Sequence, residues 1–579
     1  MSNVKNPIKV AAVDFIPAWG DLEGNIENLV VAIKEVANKK VDFAVFPETA
    51  VSGYLFSDSA ELKPYLDTIP GKTTDAIAPL LKAFNMYVSV GIAEIDAETG
   101  IPYNSAVLMG PEGIIGKYRK IGLNSQDQKV FAPGNTGINV FDTSIGRIAL
   151  LICYDDTYWQ YARIAMLKGA QIISWHSVSD RMMPNATYEE MLGDHSTVSH
   201  VQHMSALNGT WTICATRSGI ETNPITKAQL YYNGGSSIWS PTGDKIAQSP
   251  IASPLELEAG LHGIFLATVD LNDADDARLS ILAKRRPSLY NPLLTLHRSP
   301  TDANSTKTSA KVNLIAAQWD KGSMLLENVV VGKNELLVLP EFSGMPYSNN
   351  PQEFLKYAES QNGSFEKTLM SIAKKGKGYV VGSYPEIDVD ELFHTVVLAG
   401  PSGSILGRYR VTHLNHRDKG FAKAGDKPVV IKTAIGRIGL AAAYEFEVAE
   451  FGGMYSALRA DIIAAPAGLP TVLKVQISEH LYSVDNPPTG RADYYPYAAA
   501  TLNQLWVVCG GRREGDFTSA GIYGPEPIVL TKTSIAEVGA ENISLNTTVP
   551  APFTWINQER LIHGQAAIWF PPLVGDGAL

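Results

Sequence analysis

Three side chains of this sequence are of types that could carry nucleophilic catalysis. Cys153 follows the run RIALLI, Glu48 follows VDFAVFP, and Lys120 lies in YRKIGL. A thiol becomes a strong nucleophile when a base removes its proton or a cation lowers its pKa. A carboxylate and an ammonium group near one cysteine could supply both functions. Each residue alone also has an ordinary explanation, since a free Cys is most often a small buried core residue.

The elements that must position these residues alternate between strands and helices. Apolar runs such as VDFAVFP, RIALLICY and TWTICAT alternate with helical patterns such as ENLVVAIKEVANKK. Continuous apolar strands indicate a sheet buried on both faces, and their alternation with helices indicates an α/β layered fold. Catalytic residues in such folds lie at strand ends, where Glu48 and Cys153 are placed by the pattern.

The chain also repeats itself. IGKYRKIGLNSQDQKVFAPGN in the first half matches LGRYRVTHLNHRDKGFAKAGD in the second, and SIGRIALLICYDD matches AIGRIGLAAAYEF. The stretch HRSPTDANSTKTSAK between the halves has the polar composition of a linker. A chain of 579 residues exceeds one compact core, which stops growing at roughly 250 to 300 residues. We therefore predict a tandem duplication with domains at 1–297 and 311–579 and a linker at 298–310.

Taken together, the contexts PETAVSGY, YRKIGL and ICYDD resemble the nitrilase superfamily of carbon–nitrogen hydrolases. In that family a Glu, a Lys and a Cys appear in this order and in these settings. The resemblance covers both halves except the linker and the tail, and the segments GGSSIWSPTG and RRPSLY extend it in the first half. It implies an α/β fold of two four-layer α-β-β-α sandwich domains, packed as a covalent pseudo-dimer, with further homo-oligomerisation left open.

The resemblance also implies catalytic roles. Cys153 would attack a carbonyl carbon and form a thioester, with Glu48 moving the proton. Lys120 and the backbone N–H of Tyr154 would stabilise the oxyanion. Relatives often have a second Glu seven residues after the Lys, where this chain has the shorter Asp127. A structural role and a proton-transfer role for Asp127 are both open.

Two further residues of the first copy are candidate substrate contacts. Tyr54 lies in the PETAVSGY segment, and His176 ends the run GAQIISWH. Relatives commonly have Pro at the latter position, and the second copy keeps it as Pro466. A pocket contact and a core position are both open for His176.

The second copy lacks two of the three catalytic residue types. Ala443 matches Cys153, and Val411 matches Lys120, whereas acids survive at Glu341 and Asp418. Without a thiol no thioester forms, so we predict a catalytically inactive second domain. Noncatalytic ligand binding in the space left by Ala443 stays open.

The leading functional prediction is hydrolysis of a carboxamide with release of ammonia or an amine. CYDD resembles the amidase and carbamoylase branches of the family more than the CWE typical of nitrilases. A nitrile or an N-carbamoyl amine as substrate is the alternative within the same class. A noncatalytic binding or regulatory protein is the alternative from a different class, and the intact Glu, Lys and Cys set of the first copy counts against it.

Composition excludes several other classes. A balance of 48 basic against 59 acidic residues gives a net charge of −11 and no phosphate-neutralising surface, so we expect no nucleic-acid partner. No uncharged apolar run approaches the roughly 20 residues of a membrane helix, so no membrane partner is expected. The N-terminus has the pattern of a first strand rather than a signal peptide, and three cysteines make no disulfide framework. We predict a cytoplasmic protein.

No metal or other cofactor is predicted. No CxxC pair occurs, and the spacing of His195, His200 and His203 lacks the accompanying acid of a zinc motif. The expected partner is a small-molecule amide or nitrile.

Overall fold

The computed structural model describes residues 4–178, 196–249, 257–295, 309–324, 326–469, 494–515, 517–525, 542–549 and 558–575. The chain forms two compact units. The first contains Met1–Ala283 with Ile568–Leu573 and Gly577–Leu579, and the second contains Lys284–Ala567 with Val574–Asp576. None of the helices in the described ranges is long and apolar enough to cross a membrane.

The first unit contains two mixed sheets and a separate hairpin. Its strands are β1 (Ile8–Ile16), β2 (Phe43–Val45), β3 (Tyr87–Ile95), β4 (Pro102–Gly110), β5 (Gly113–Arg119), β6 (Val140–Thr143), β7 (Gly146–Ile152), β8 (Ile172–His176), β9 (Trp211–Ala215), β10 (Ser218–Thr222), β11 (Gln229–Asn233), β12 (Ser237–Trp239), β13 (Lys245–Gln248) and β14 (Gly260–Val269). The sheets have the strand orders β14-β1-β2-β3-β4-β5 and β13-β12-β9-β8-β7-β6, and β10 pairs with β11. The inner strands β1, β2 and β3 are parallel to one another, as are β7, β8 and β9.

Helices cover both sheets of this unit. They are α1 (Leu22–Asn38), α2 (Ser59–Leu62), α3 (Lys72–Phe84), α4 (Asp127–Val130), α5 (Trp159–Leu167), α6 (Ser196–Asn208) and α7 (Leu271–Leu282). Helices α1 and α3 contact the first sheet, α5 and α6 contact the second, and the two sheets contact each other through β3 with β8 and β4 with β7. The layers therefore follow the order helix, sheet, sheet, helix, as predicted.

Helix α1 shows why the sequence forms these layers. The Asp21 side chain caps the helix by accepting a hydrogen bond from the backbone N–H of Gly24. Leu22, Ile26 and Leu29 then recur at helical spacing and are buried in the core against the first sheet.

The second unit repeats this plan. Its strands are β15 (Ala310–Asp320), β16 (Glu335–Val338), β17 (Tyr379–Asp388), β18 (Glu391–Gly400), β19 (Ser404–Arg410), β20 (Val430–Thr433), β21 (Gly436–Leu440), β22 (Ile462–Ala464), β23 (Trp506–Cys509), β24 (Gly511–Glu514), β25 (Phe517–Thr518), β26 (Gly521–Tyr523) and β27 (Asn542–Val549). Its helices are α8 (Pro351–Lys356), α9 (Ser364–Gly376), α10 (Ala449–Ala457), α11 (Tyr494–Asn503) and α12 (Gln558–Gly564). The sheets run β19-β18-β17-β16-β15-β24-β25 and β20-β21-β22-β23-β26. Strand β27 pairs antiparallel with β15, as β14 does with β1.

Candidate active site

The first unit brings Glu48, Lys120 and Asp127 into direct contact. Glu48 follows β2, Lys120 follows β5, and Asp127 begins α4. Lys120 Nζ lies 2.8 Å from Glu48 Oε1 and 2.7 Å from Asp127 Oδ2. All three side chains have no solvent exposure. One buried ammonium group is therefore shared by two carboxylates.

Neighbouring groups fix the orientation of Glu48. Asn104 on β4 donates from Nδ2 to Glu48 Oε1 at 2.6 Å and to Asp127 Oδ1 at 3.4 Å. The backbone N–H of Val178 donates to Glu48 Oε2 at 3.1 Å. Both carboxylate oxygens are thus held, which preorganises the acid before any substrate binds.

Cys153 begins a short 3₁₀ turn, Cys153–Thr157, directly after β7. Its backbone has a φ of 42°, a conformation that L residues other than Gly rarely adopt. The Trp175 indole N–H donates to the Cys153 carbonyl oxygen at 3.1 Å, which helps to hold this turn. Such backbone strain at a sharp turn after a strand is also how the nucleophile of other hydrolases is presented.

The charges of this cluster act on one another. Burial raises the pKa of Glu48, Lys120 opposes that rise, and Asp127 adds to it. Burial disfavours the charged form of Lys120, but Asp127 and Glu48 outweigh it and hold the lysine pKa well above its usual value. Burial and the negative charge of Glu48 raise the pKa of the Cys153 thiol, against the effect of Lys120. The arrangement therefore pairs a protonated thiol and a permanent cation with a carboxylate that accepts protons more readily than usual.

Asp155 is a site residue that the sequence analysis missed. Its carboxylate accepts hydrogen bonds from the backbone N–H of Gly122 at 2.8 Å, the backbone N–H of Ile152 at 2.9 Å and the Tyr118 hydroxyl at 2.8 Å. These bonds connect the loop that carries Lys120 to the turn at Cys153. Burial raises the pKa of Asp155 to about 7, against the effect of these hydrogen bonds.

A sequence signal for Asp155 was present. An acid stands at this place in both copies, as Asp155 in CYDD and Glu445 in AYEF. Glu445 accepts hydrogen bonds from the backbone N–H groups of Ala442 and His413, at 2.9 Å in each case. Asn104 gave no such signal, because its counterpart is His394.

The two candidate substrate contacts have different surroundings. The Tyr54 hydroxyl donates to Asp127 Oδ1 at 3.1 Å, so Tyr54 supports the acid cluster directly. His176 is buried, and its ring nitrogens lie 2.6 Å from the Phe46 carbonyl oxygen and 3.1 Å from Ser174 Oγ. Both nitrogens are engaged in the core, and burial lowers the pKa of His176 to about 4. A substrate contact from His176 stays a prediction that these bonds do not favour.

Tyr154 follows Cys153 within the same 3₁₀ turn. Its backbone N–H is adjacent to the nucleophile by chain connectivity, and its role as an oxyanion donor stays a prediction. Of the histidine cluster, His195 lies outside the described residues, and of His200 only the backbone in α6 is described. His203 is buried on α6.

The matched place in the second unit also contains two buried acids and a cation. Arg417 Nη1 lies 2.8 Å from Glu341 Oε2, and Arg417 Nε lies 2.7 Å from Asp418 Oδ1. His394 Nδ1 lies 2.7 Å from Asp418 Oδ2. Although burial raises it, these interactions with His394 and Arg417 hold the pKa of Asp418 well below its usual range. Val411, at the position of Lys120, is fully buried.

The described residues contain one group of three possible metal ligands, Glu341, His394 and Asp418, with ligand atoms within 4.8 Å of one another. One of the possible ligand atoms, Asp418 Oδ2, already accepts a hydrogen bond from Tyr444 Oη at 2.5 Å. The Arg417 guanidinium also contacts both carboxylates and offsets one of their two negative charges. A divalent cation would have to displace these donors and lie beside a fixed positive charge, so the residues fit a metal poorly.

Comparison with known proteins places these observations in a family. The family model for carbon-nitrogen hydrolases matches residues 9–279 and 304–492. A nitrilase of Pyrococcus abyssi is 32% identical over 288 residues, which are 49% of this chain and 99% of that protein. A citrullinase of Francisella tularensis subsp. tularensis is 28% identical and covers 50% of this chain and 98% of its own length. The crystal structure of a carbon-nitrogen hydrolase from Helicobacter pylori G27 matches with a TM-score of 0.44 at 23% identity, covering 50% of this chain and 98% of that one.

The family match, together with the buried Glu–Lys pair and the strand-end cysteine of the first unit, defines a hydrolase that acts on carbon–nitrogen bonds other than peptide bonds. The chain belongs to the carbon-nitrogen hydrolase family. The family match in both halves, together with the repeated strand order, confirms the predicted resemblance, the tandem arrangement and the two nitrilase-like α/β domains.

Proposed function

We propose that the first unit hydrolyses a carboxamide through a thioester on Cys153. The observation that carries this proposal is the sharing of Lys120 between Glu48 and Asp127. Because both carboxylates keep Lys120 charged, it serves as the electrostatic partner of the oxyanion, and Glu48 is left as the proton carrier. Asp127, held by Tyr54 and Asn104, is assigned a positioning role.

The proton moves in a closed cycle. Glu48 takes the proton of Cys153 as sulfur bonds to the carbonyl carbon, and the carbonyl oxygen becomes an oxyanion beside Lys120 and the Tyr154 N–H. Collapse of this intermediate breaks the C–N bond, and Glu48 gives the proton to the departing ammonia or amine. Glu48 then takes a proton from water as it attacks the thioester, and that proton returns to the departing sulfur.

Two substrates of the same class are alternatives. A nitrile would use the same thiol attack, and relatives named nitrilase support it. An N-carbamoyl or ureido compound is supported by the relative named citrullinase. We place the carboxamide first because the CYDD context resembles the amidase branch.

The second unit is proposed to be catalytically inactive. It has Ala443 in place of the thiol and Val411 in place of the lysine. By resemblance to a family whose members dimerise, we further propose that the two copies form a pseudo-dimer within one chain. We also propose that the protein is cytoplasmic, because its three cysteines suit a reducing compartment. Separated halves expressed alone would test the pseudo-dimer by their oligomeric state and turnover.

The test of the function combines ammonia release with intact-mass spectrometry on the full chain. Ammonia release is screened over amides, nitriles and carbamoyl amines. A slow substrate should then give one acyl adduct per chain, absent from Cys153→Ala. Adducts that persist in this variant, on the buried Cys214 or Cys509, would contradict the proposal.

A further inference from the structure

Glu221, on the hairpin of β10 and β11, accepts hydrogen bonds from four donors in the first unit. The backbone N–H groups of Tyr54 and Leu55 donate to its Oε1 and Oε2, each at 3.0 Å. Arg217 Nη2 donates to Oε2 at 2.8 Å, and the Tyr232 hydroxyl donates to the same oxygen. Glu221 and Arg217 are both buried. A carboxylate paired with a buried guanidinium therefore binds the main chain of the segment that follows the catalytic acid.

The close approach of this carboxylate depends on Gly53. Gly53 has a φ of 82°, and a Cβ added there would lie 2.5 Å from Glu221 Oε1. Another residue type would displace the carboxylate, and the backbone conformation itself favours glycine. The matched position of the second copy is Pro346. The segment PETAVSGY thus provides room that Glu221 occupies.

Tyr54 connects this main-chain contact to the acid cluster. Its hydroxyl donates to Asp127 Oδ1 at 3.1 Å and accepts a hydrogen bond from Asn124 Nδ2 at 2.9 Å. Asp127 Oδ2 in turn lies 2.7 Å from Lys120 Nζ. A continuous series of contacts therefore leads from the Glu221 carboxylate, through Tyr54 and Asp127, to the buried ammonium group.

The second copy holds its second acid in a different way. Tyr347 matches Tyr54, but its hydroxyl donates to Asn349 Oδ1 at 2.7 Å. Asp418, which matches Asp127, accepts a hydrogen bond from Tyr444 Oη instead. The shared scaffold therefore does not require a bond from this tyrosine to the second acid. The copy with the nucleophile is the one that has it.

We propose that Glu221 is a positioning residue of the hydrolytic site. It fixes the main chain at Tyr54, so that the Tyr54 hydroxyl keeps Asp127 in place against Lys120. This inference rests on the proposed function, in which Lys120 is the partner of the oxyanion. Because small displacements of a catalytic group slow the chemical step, loss of Glu221 should lower kcat more than it changes KM.

Turnover is measured on the full chain with p-nitrophenyl acetate, an activated ester that a thiol able to form a thioester can attack. The rate of Cys153→Ala is subtracted. Glu221→Gln keeps the side-chain size with one acceptor oxygen in place of two, and should lower kcat about tenfold. Tyr54→Phe removes only the hydroxyl and should cost a similar factor. The double variant should be within about twofold of the slower single variant, because both changes interrupt one series of contacts. Additive losses would overturn the proposal.

Hydrogen exchange followed by mass spectrometry tests the same contacts without turnover. Glu221→Gln should speed exchange in the peptide around Tyr54, whereas Tyr54→Phe should not. Both variants should speed exchange in the turn at 124–131, which contains Asp127, and the double variant should exchange no faster there. Unchanged exchange at 124–131 in Glu221→Gln would overturn the proposal.

The two measurements separate this inference from the proposed function. If p-nitrophenyl acetate gives no turnover that depends on Cys153, the proposed function fails, and hydrogen exchange still decides the role of Glu221. Tyr232→Phe covers the case in which Glu221→Gln does not fold, since it removes one donor and leaves the carboxylate in place. It should lower kcat by a smaller factor and speed exchange at 124–131. If both stay unchanged in the folded variant, the proposal is overturned.

Glu366 offers a matched control in the second unit. It also accepts hydrogen bonds from an arginine, a tyrosine and a backbone N–H, those of Arg408, Tyr384 and Asn362. Glu366→Gln should destabilise the chain to thermal unfolding as Glu221→Gln does, but it should leave kcat unchanged. An equal loss of kcat in Glu366→Gln would show that Glu221 acts through stability alone, and would overturn the proposal.

Discussion

The two copies hold the same pair of buried acids with different cations. In the first, Lys120 lies 2.8 and 2.7 Å from Glu48 and Asp127. In the second, Arg417 lies 2.8 and 2.7 Å from Glu341 and Asp418. The second copy therefore still pairs its two buried acids with a cation, although it lacks the nucleophile. The pair of acids by itself indicates buried charge that needs a cation. What separates the first copy is that its cation is Lys120, whose charge also acts on the thiol of Cys153.

The two copies also differ in the backbone conformation at the position of the nucleophile. Cys153 has a φ of 42°, whereas its counterpart Ala443 is not among the described residues with positive φ. The residues after the first acid, Thr49 and Phe342, have positive φ values in both copies, 46° and 50°. The strain at the nucleophile position is thus confined to the copy that has a nucleophile, while the shared strain belongs to the scaffold.

The largest expected effect concerns the nucleophile. Cys153→Ala should reduce turnover by on the order of 10⁴ or more, because removal of a covalent nucleophile disables the whole catalytic set. Adding Ala443→Cys to that variant should restore no activity, since Val411 provides no cation for the oxyanion. Steady-state ammonia release measures both variants. Recovery of activity in the double variant would show that the copies differ by the thiol alone.

The next effect concerns the cation. Lys120→Ala should cost on the order of 10² to 10³ in turnover, as loss of one oxyanion donor does elsewhere. The matched change Val411→Ala should leave turnover nearly unchanged, because Val411 carries no charge. Both variants are compared at equal folded fraction, judged by circular dichroism. An equal loss in both would show that the second copy contributes to the chemistry.

The sequence was sufficient for the strand-end positions of Glu48 and Cys153. Each follows an apolar run whose length and β-branched content indicate a buried strand, and parallel inner strands bring such ends to one edge. Lys120 follows β5, which pairs antiparallel with β4, and its place in the site was expected only from the family resemblance of YRKIGL. Helix α1 was predicted from the helical spacing of the apolar residues in ENLVVAIKEVANKK, and the structure adds the Asp21 cap at its start.

The sequence was insufficient for Arg417 and His394. Arg417 lies in LNHRDK, where adjacent basic residues predict exposed loop charges, and its contact with Glu341 joins two turns that are far apart in the sequence. His394 lies on β18, and its contact with Asp418 depends on how that strand is placed in the sheet. Local patterns predict which element a residue joins, while side-chain partners that are distant in sequence depend on the packing of whole sheets.

A smaller effect distinguishes His176 from Pro466 at the matched strand end. Because burial lowers the His176 pKa from 6.5 to about 4, the unfolded state binds more protons between these values. Stability should therefore fall as the pH drops from 7 to 5, by about 2 kcal/mol from this residue. His176→Gln should remove that part of the pH dependence, measured by urea unfolding at pH 5, 6 and 7. An unchanged pH dependence in the variant would show that His176 is not held neutral.

The smallest effect tests the backbone difference itself. Starting from Cys153→Ala, the further change of residue 153 from Ala to Gly should raise the free energy of unfolding by about 0.5 to 1 kcal/mol, because Gly relieves the cost of positive φ. Ala443→Gly should lower it by a similar amount, since Gly there only adds freedom to the unfolded chain. Chemical denaturation of the two matched pairs measures both signs. If both glycines destabilise, Cys153 is not strained, and the comparison rests on the side chains alone. Opposite signs would show that the main chain at the nucleophile turn differs between the copies, in addition to the side chains.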